Sequence, residues 1–202
     1  MLRYATLLLL ALGLPLLAAA QTALQRGTVR FYLEGAAADK GEKAAVYTVY
    51  FKPDTATAVL GLVSGEEALT IIYDFPGGIA YNVFKEAGQA SVIPISLEEI
   101  SASSEELDYK VTMLDVTRDI LGYTCKPVRI QPADATAGGL RISAWVTNEI
   151  ESSFKVLAGM EKYFPGFPLE CSVKQAEGAE EVVYRAFAVE KNAPEAMFVI
   201  PR

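Results

Sequence analysis

The sequence predicts a single α+β domain: a curved, largely antiparallel β-sheet with one or two short covering helices. Three observations carry this. Most of the chain after residue 20 alternates with period two in Val, Ile, Thr, Tyr and Phe. Turn signals recur at spacings of roughly ten residues, which corresponds to roughly nine to eleven strands. Apolar side chains also occupy both parities of several strands, as in a sheet covered on both faces or curved around a cavity.

The elements follow in order. Val29, Phe31 and Leu33 share one face of a first strand, with Thr28, Arg30 and Tyr32 on the other. A loop at Gly35–Gly41 leads to a strand over Lys43–Phe51, and Pro53–Asp54 turns the chain into Thr57–Val63. Leu69–Phe75 follows. Phe75–Pro76–Gly77–Gly78–Ile79 is a tight hairpin, because Pro fixes one φ and Gly permits a positive φ next to it. Ile79–Lys85 and Ala90–Ile95 complete a meander. Ser96–Leu97–Glu98–Glu99 has the spacing of a capping box and starts a short helical turn, with Ser101–Glu106 read as a loop. Tyr109–Thr117 and Thr124–Pro132 form a long hairpin around Asp119–Gly122, and Leu140–Thr147 is a further strand. Ser152 or Ser153 caps a predicted helix running to Phe164, stopped by Pro165 and Gly166. Leu169–Gln175 and Glu181–Lys191 form a last hairpin, and Phe198–Pro201 closes the chain.

Residues 1–20 read as a signal peptide. Arg3 supplies the positive charge, Leu7–Leu17 is almost continuously apolar, and Ala18 and Ala20 put small side chains before Gln21. The apolar run is too short to serve as a mature membrane anchor, and no later stretch reaches the roughly 18 apolar residues of a spanning helix. Residues 21–202 then form one exported domain. No cysteine stands directly after the cleavage point, where a lipid anchor would need it, so a free rather than lipid-anchored protein is expected.

The formal charge of −7 disfavours nucleic acid and anionic lipid surfaces as partners. The absence of histidine removes Ser–His–Asp triads, Cys–His pairs and histidine-ligated metals. Adjacent glutamates (Glu66–Glu67, Glu98–Glu99, Glu105–Glu106, Glu180–Glu181) read as solvated turn residues, because acid–base work needs two carboxylates converging in different environments. No calcium-loop, phosphate-cradle or nucleophile-elbow spacing occurs. No catalytic residue, metal or cofactor is therefore expected. Cys125 and Cys171 admit a single disulfide in an oxidising compartment, worth about 4 kcal/mol in the chain-entropy model; buried free thiols are the other reading.

Ile120–Leu121–Gly122–Tyr123–Thr124–Cys125–Lys126, Ala144–Trp145–Val146–Thr147–Asn148–Glu149–Ile150, Gly166–Phe167–Pro168–Leu169–Glu170 and the terminal Phe198–Val199–Ile200–Pro201 stand in a recognisable order. Over about residues 110–201 the chain resembles a family of secreted bacterial proteins of unknown function related to the periplasmic lipoprotein carriers. The resemblance implies a strongly curved antiparallel sheet whose concave apolar face is covered by helices. It implies no catalytic residues.

Trp145 shares its parity with Arg141, Ser143 and Thr147, and either lines a pocket or sits beneath the predicted 154–164 helix. The leading expectation is a non-catalytic periplasmic or secreted binding protein. It would hold a lipid or other apolar ligand between the concave sheet face and that helix, with Trp145, Phe154, Leu157 and Phe164 as ligand-binding residues. The alternative is a cell-envelope protein-interaction module without a small-molecule ligand.

Overall fold

The computed structural model describes residues 22–35, 45–62, 67–86, 89–105, 107–134, 136–175 and 180–201. The signal-peptide reading and most of the loop at Gly35–Gly41 lie outside these residues. The strands are β1 (Gly27–Glu34), β2 (Ala45–Lys52), β3 (Thr55–Leu62), β4 (Glu67–Asp74), β5 (Ile79–Glu86) and β6 (Gln89–Ser96). After helix α1 (Leu97–Glu105) come β7 (Tyr109–Met113), β8 (Arg118–Ile120), β9 (Tyr123–Pro132), β10 (Arg141–Thr147), β11 (Phe167–Lys174) and β12 (Val182–Glu190).

All twelve strands join one open antiparallel sheet in the order β6-β5-β4-β3-β2-β1-β12-β11-β10-β9-β7, with β8 extending the outer edge of β9. The first six strands are a plain meander. The chain then crosses to the other end of the sheet and meanders back until β12 pairs with β1. The two halves of the sequence thus meet at one ladder.

Local chemistry sets the hairpins. Pro53 and Asp54 link the paired Lys52 and Thr55, with Asp54 at a φ of 69°. Leu121 and Gly122 both have positive φ, 56° and 82°, which is the primed turn that matches strand twist. Asp119 caps that turn by accepting the Gly122 N–H at 3.1 Å. Register shifts at Arg30/Phe31, Leu60/Gly61 and Trp145/Val146 add local twist and bend the sheet.

The core forms along one face. A first cluster contains Phe31, Phe51, Tyr73, Phe154 and Phe167, and a second contains Val128, Ile130, Ile142, Met160 and Phe164. The other face of β1–β3 is closed by the C-terminal segment. The buried hydroxyls of Thr28 and Thr57 donate to the carbonyls of Asn192 (2.7 Å) and Met197 (2.6 Å). Lys52 lies 4.6 Å over the Phe198 ring.

Three expectations are corrected. The helix from Ser152 or Ser153 to Phe164 does not form. Ser152, Phe154 and Val156 are buried alternately, with an extended-chain period, and positive φ values at Val156 (75°) and Gly159 (78°) break any helical run. Only Glu161–Tyr163 makes a 3₁₀ turn. Ser101–Glu105 is helical rather than a loop, since the Ser96 capping bond to the Glu98 N–H (3.1 Å) nucleates a helix that carries on through Ser101, whose hydroxyl bonds back to the Leu97 carbonyl. The disulfide does not form either: Cys125 and Cys171 are both free and buried. Strand β10 separates their strands, and Cys171 pairs with Ala144, whereas Cys125 lies beyond the Val146–Lys126 pair. Two strand spacings alone put about 10 Å between their backbones, past the roughly 7 Å that a disulfide spans.

Candidate functional site

The segment from Ile150 to Gly166 lies over the inner face of the sheet. It is anchored where Leu24 bridges Ile150, with the Leu24 N–H donating to Glu149 (2.7 Å) and the Glu151 N–H to Leu24 (2.9 Å). Its apolar side chains go inward: Phe154 stacks on Tyr73 with ring centroids 4.5 Å apart, and Val156 is buried against the same cluster. The Tyr47 hydroxyl donates to the Val156 carbonyl at 3.2 Å. At Gly159 the segment meets α1 so closely that a Cβ there would stand 2.9 Å from the Ile100 carbonyl oxygen.

Beside that contact a cleft of about 310 Å³ opens between α1 and the segment. Phe75, Leu97, Ile100 and Ala158 give it apolar walls, and Glu161 and Lys162 are the charged residues in it. The volume falls at the lower end of the roughly 300–1,000 Å³ of small-molecule sites. Burial pushes the Glu161 carboxyl above its ordinary value, while the backbone N–H groups of Glu161 and Gly159 bond to it and pull the other way. Burial also raises the phenols of Tyr47 and Tyr73, and the nearby Glu161 charge adds to both shifts. The polar groups under the segment are therefore neutral phenols around one half-buried carboxyl.

A second groove of about 340 Å³ lies on the other side of β10, lined by Leu114, Val116, Pro127, Trp145 and Glu170 among others. The Arg118 guanidinium sits 4.3 Å over the Trp145 ring and donates to Glu170 at 2.8 Å. The indole face is thus already covered by a cation.

The four residues expected to bind a ligand are not gathered at one place. Phe154 and Phe164 are buried in the first and second clusters, and Leu157 packs at the margin of the second. Trp145 packs at the margin of the first cluster and also lines the second groove. The cleft residues Leu97, Ile100 and Glu161 were missed. Leu97 and Ile100 carried a usable signal, an apolar pair three apart behind a capping serine. Glu161 carried none.

Burial pushes the Cys125 thiol up to about 11 and the Cys171 thiol up to about 12, so neither is ionised as a nucleophile or metal ligand near neutral pH. Among the described residues no group of three His, Cys, Asp or Glu is placed to hold a metal ion. No helix among them is long and apolar enough to cross a membrane.

No family model matches the chain, and neither does any curated protein. Solved structures resemble it in fold. PNGF-II aligns over 85% of this chain with 13% identity and a TM-score of 0.50, and the chain spans 30% of that protein's length. A LolA superfamily protein from Nitrosomonas europaea aligns over 88% of this chain and 91% of its own, with 13% identity and a TM-score of 0.42. The Mycobacterium tuberculosis lipoprotein LppX aligns over 83% of this chain and 88% of its own, with 11% identity and a TM-score of 0.39.

Proposed function

We propose that the protein is an exported, periplasmic or secreted binding protein, without catalytic activity of its own, that takes a lipid or other apolar ligand. The supporting observation is the cleft between α1 and the 150–166 segment, an apolar concavity with few, convergent polar groups. Its floor segment is held in place by Phe154, Val156 and Met160 in the core and by the Leu24–Ile150 bridge, so the cleft wall it offers is preformed. The leader-like residues 1–20 support export.

Native mass spectrometry of the protein purified from a bacterial periplasm, paired with organic extraction, tests the reading. A reproducible extra mass that extracts as lipid is the expected result. A bare polypeptide, together with no fluorescence gain from N-phenyl-1-naphthylamine, overturns it.

One observation favours a second reading, an envelope protein-interaction module. Val111, Met113, Leu114, Val116 and Leu121 are exposed along or next to the outer edge of the sheet at β7 and β8. Exposed apolar side chains at an unpaired edge are suited to a protein partner. Site-specific photocrosslinking from position 116 in a living envelope would capture that partner.

A further inference from the structure

The cleft is not purely apolar: Glu161 and Lys162 both line it, and the carboxyl is the half-buried one of the two. Glu161 is half-buried among Phe75, Leu97, Ile100 and Ala158, and a carboxyl in such surroundings loses hydration that its partners must replace. The backbone N–H groups of Glu161 and Gly159 supply part of that replacement. The nearest phenols do not supply the rest as observed. Tyr47 gives its hydroxyl to the Val156 carbonyl, and Tyr73 is stacked between Phe154 (4.5 Å) and Phe75 (6.1 Å). Among the described residues no lysine or arginine forms an ion pair with Glu161, and Lys162 holds its ammonium 5.1 Å over the Tyr163 ring.

The geometry points to a ligand with a cationic head, an ammonium carried on an apolar body, which takes Glu161 as its counter-charge. This rests on the apolar-ligand reading of the same cleft. Leu97, Ile100 and Ala158 would receive the body, and Phe75 offers an aromatic ring to the head. A charge-assisted hydrogen bond from an ammonium to a carboxylate is about twice as strong as a neutral one. The chain's net charge of −7 favours the approach of such a cation. An anionic head would instead meet the carboxylate directly.

Isothermal titration of the protein with decylammonium, decanol and decanoate at neutral pH tests this, because the three share a body and differ in the head. Decylammonium is expected to bind at least about tenfold more tightly than decanol, with decanoate the weakest. Glu161→Gln should abolish the preference for decylammonium over decanol. Titrating the parent as pH falls from about 7 to 4, which protonates the Glu161 carboxyl, should erode the preference for decylammonium over decanol and provides the test if Glu161→Gln does not fold. Equal binding of the three, tightest binding by decanoate, or an ammonium preference that survives Glu161→Gln overturns the head-group assignment and leaves the apolar cleft standing. Failure of all three to bind overturns the apolar-ligand reading itself.

Discussion

The rings of Phe51 and Phe167 lie 5.9 Å apart, although β1 and β12 stand between their strands. Along a flat sheet, three strand spacings would separate the two backbones by about 14 Å. The contact is closed by curvature: the sheet wraps around a core in which the Phe31 ring lies tilted 6.5 Å from Phe167 and 6.2 Å from Tyr47.

Truncation at that contact reports on the curvature. Phe51→Ala and Phe167→Ala should each cost about 3–5 kcal/mol of unfolding free energy, since both rings are fully buried. In a double-mutant cycle the pair should show a coupling of about 0.5–1.5 kcal/mol. Additive losses in urea melts would mean that the two rings do not share one core.

The C-terminal segment should be held chiefly by two buried hydroxyls rather than by its surface ion pairs. Thr57→Val leaves the Met197 carbonyl without its donor and should cost about 1–3 kcal/mol. Amide exchange over residues 195–199 should speed up selectively. Glu195→Ala removes exposed pairs with Arg26 and Lys52, and its effect should disappear at high salt.

Gly159 should be irreplaceable for geometric reasons. Its φ of 78° opposes a side chain, and so does the Ile100 carbonyl oxygen, which would lie only 2.9 Å from an added Cβ. Gly159→Ala should cost about 1–3 kcal/mol and push the segment off α1, altering binding in the cleft. An alanine variant with unchanged stability and unchanged decanol affinity would show that the contact with α1 is dispensable.

Much of this fold was legible in the sequence because strands announce themselves locally. The period-two runs, Pro53–Asp54, Pro76–Gly77–Gly78 and Asp119–Gly122 located the main hairpins, although the structure has twelve strands rather than roughly nine to eleven because the short β8 lies within the stretch read as a turn. The 150–166 segment was not legible. Phe154, Leu157 and Met160 recur at helical spacing, yet tertiary burial of Ser152, Phe154 and Val156 against the sheet imposed an extended course. The cysteine pairing failed for a different reason: parity of count says nothing of which strands become neighbours, and the meander β9-β10-β11 puts β10 between the two cysteine strands. The cleft, formed by two elements some sixty residues apart, depends instead on long-range placement that no local pattern carries.

The thiols offer a direct check of the strand order. With both cysteines buried and two strands apart, a thiol reagent should find neither in the native protein and both after denaturation. Reducing agent should leave the melting temperature unchanged. A native mass two daltons light would contradict the placement of β10 between β9 and β11.

Glu161 should give the protein a distinctive pH response. Burial raises its carboxyl above the ordinary 4.5, so the folded chain holds that proton more tightly than the unfolded one. The stability this contributes is complete below 4.5 and is lost as pH rises through the folded-state value. Asp134 and Glu195 have lowered values, through Thr136 and Arg26 hydrogen bonds respectively, and their contribution is instead lost as pH falls. Both remain in a Glu161→Gln variant, so they cancel when variant and parent are compared. The stability of Glu161→Gln relative to the parent should therefore climb with pH from about 4 to 7 in urea titrations. A difference that stays flat would place Glu161 in water rather than in the cleft, and one that falls would mean that its carboxylate is paired in the folded protein.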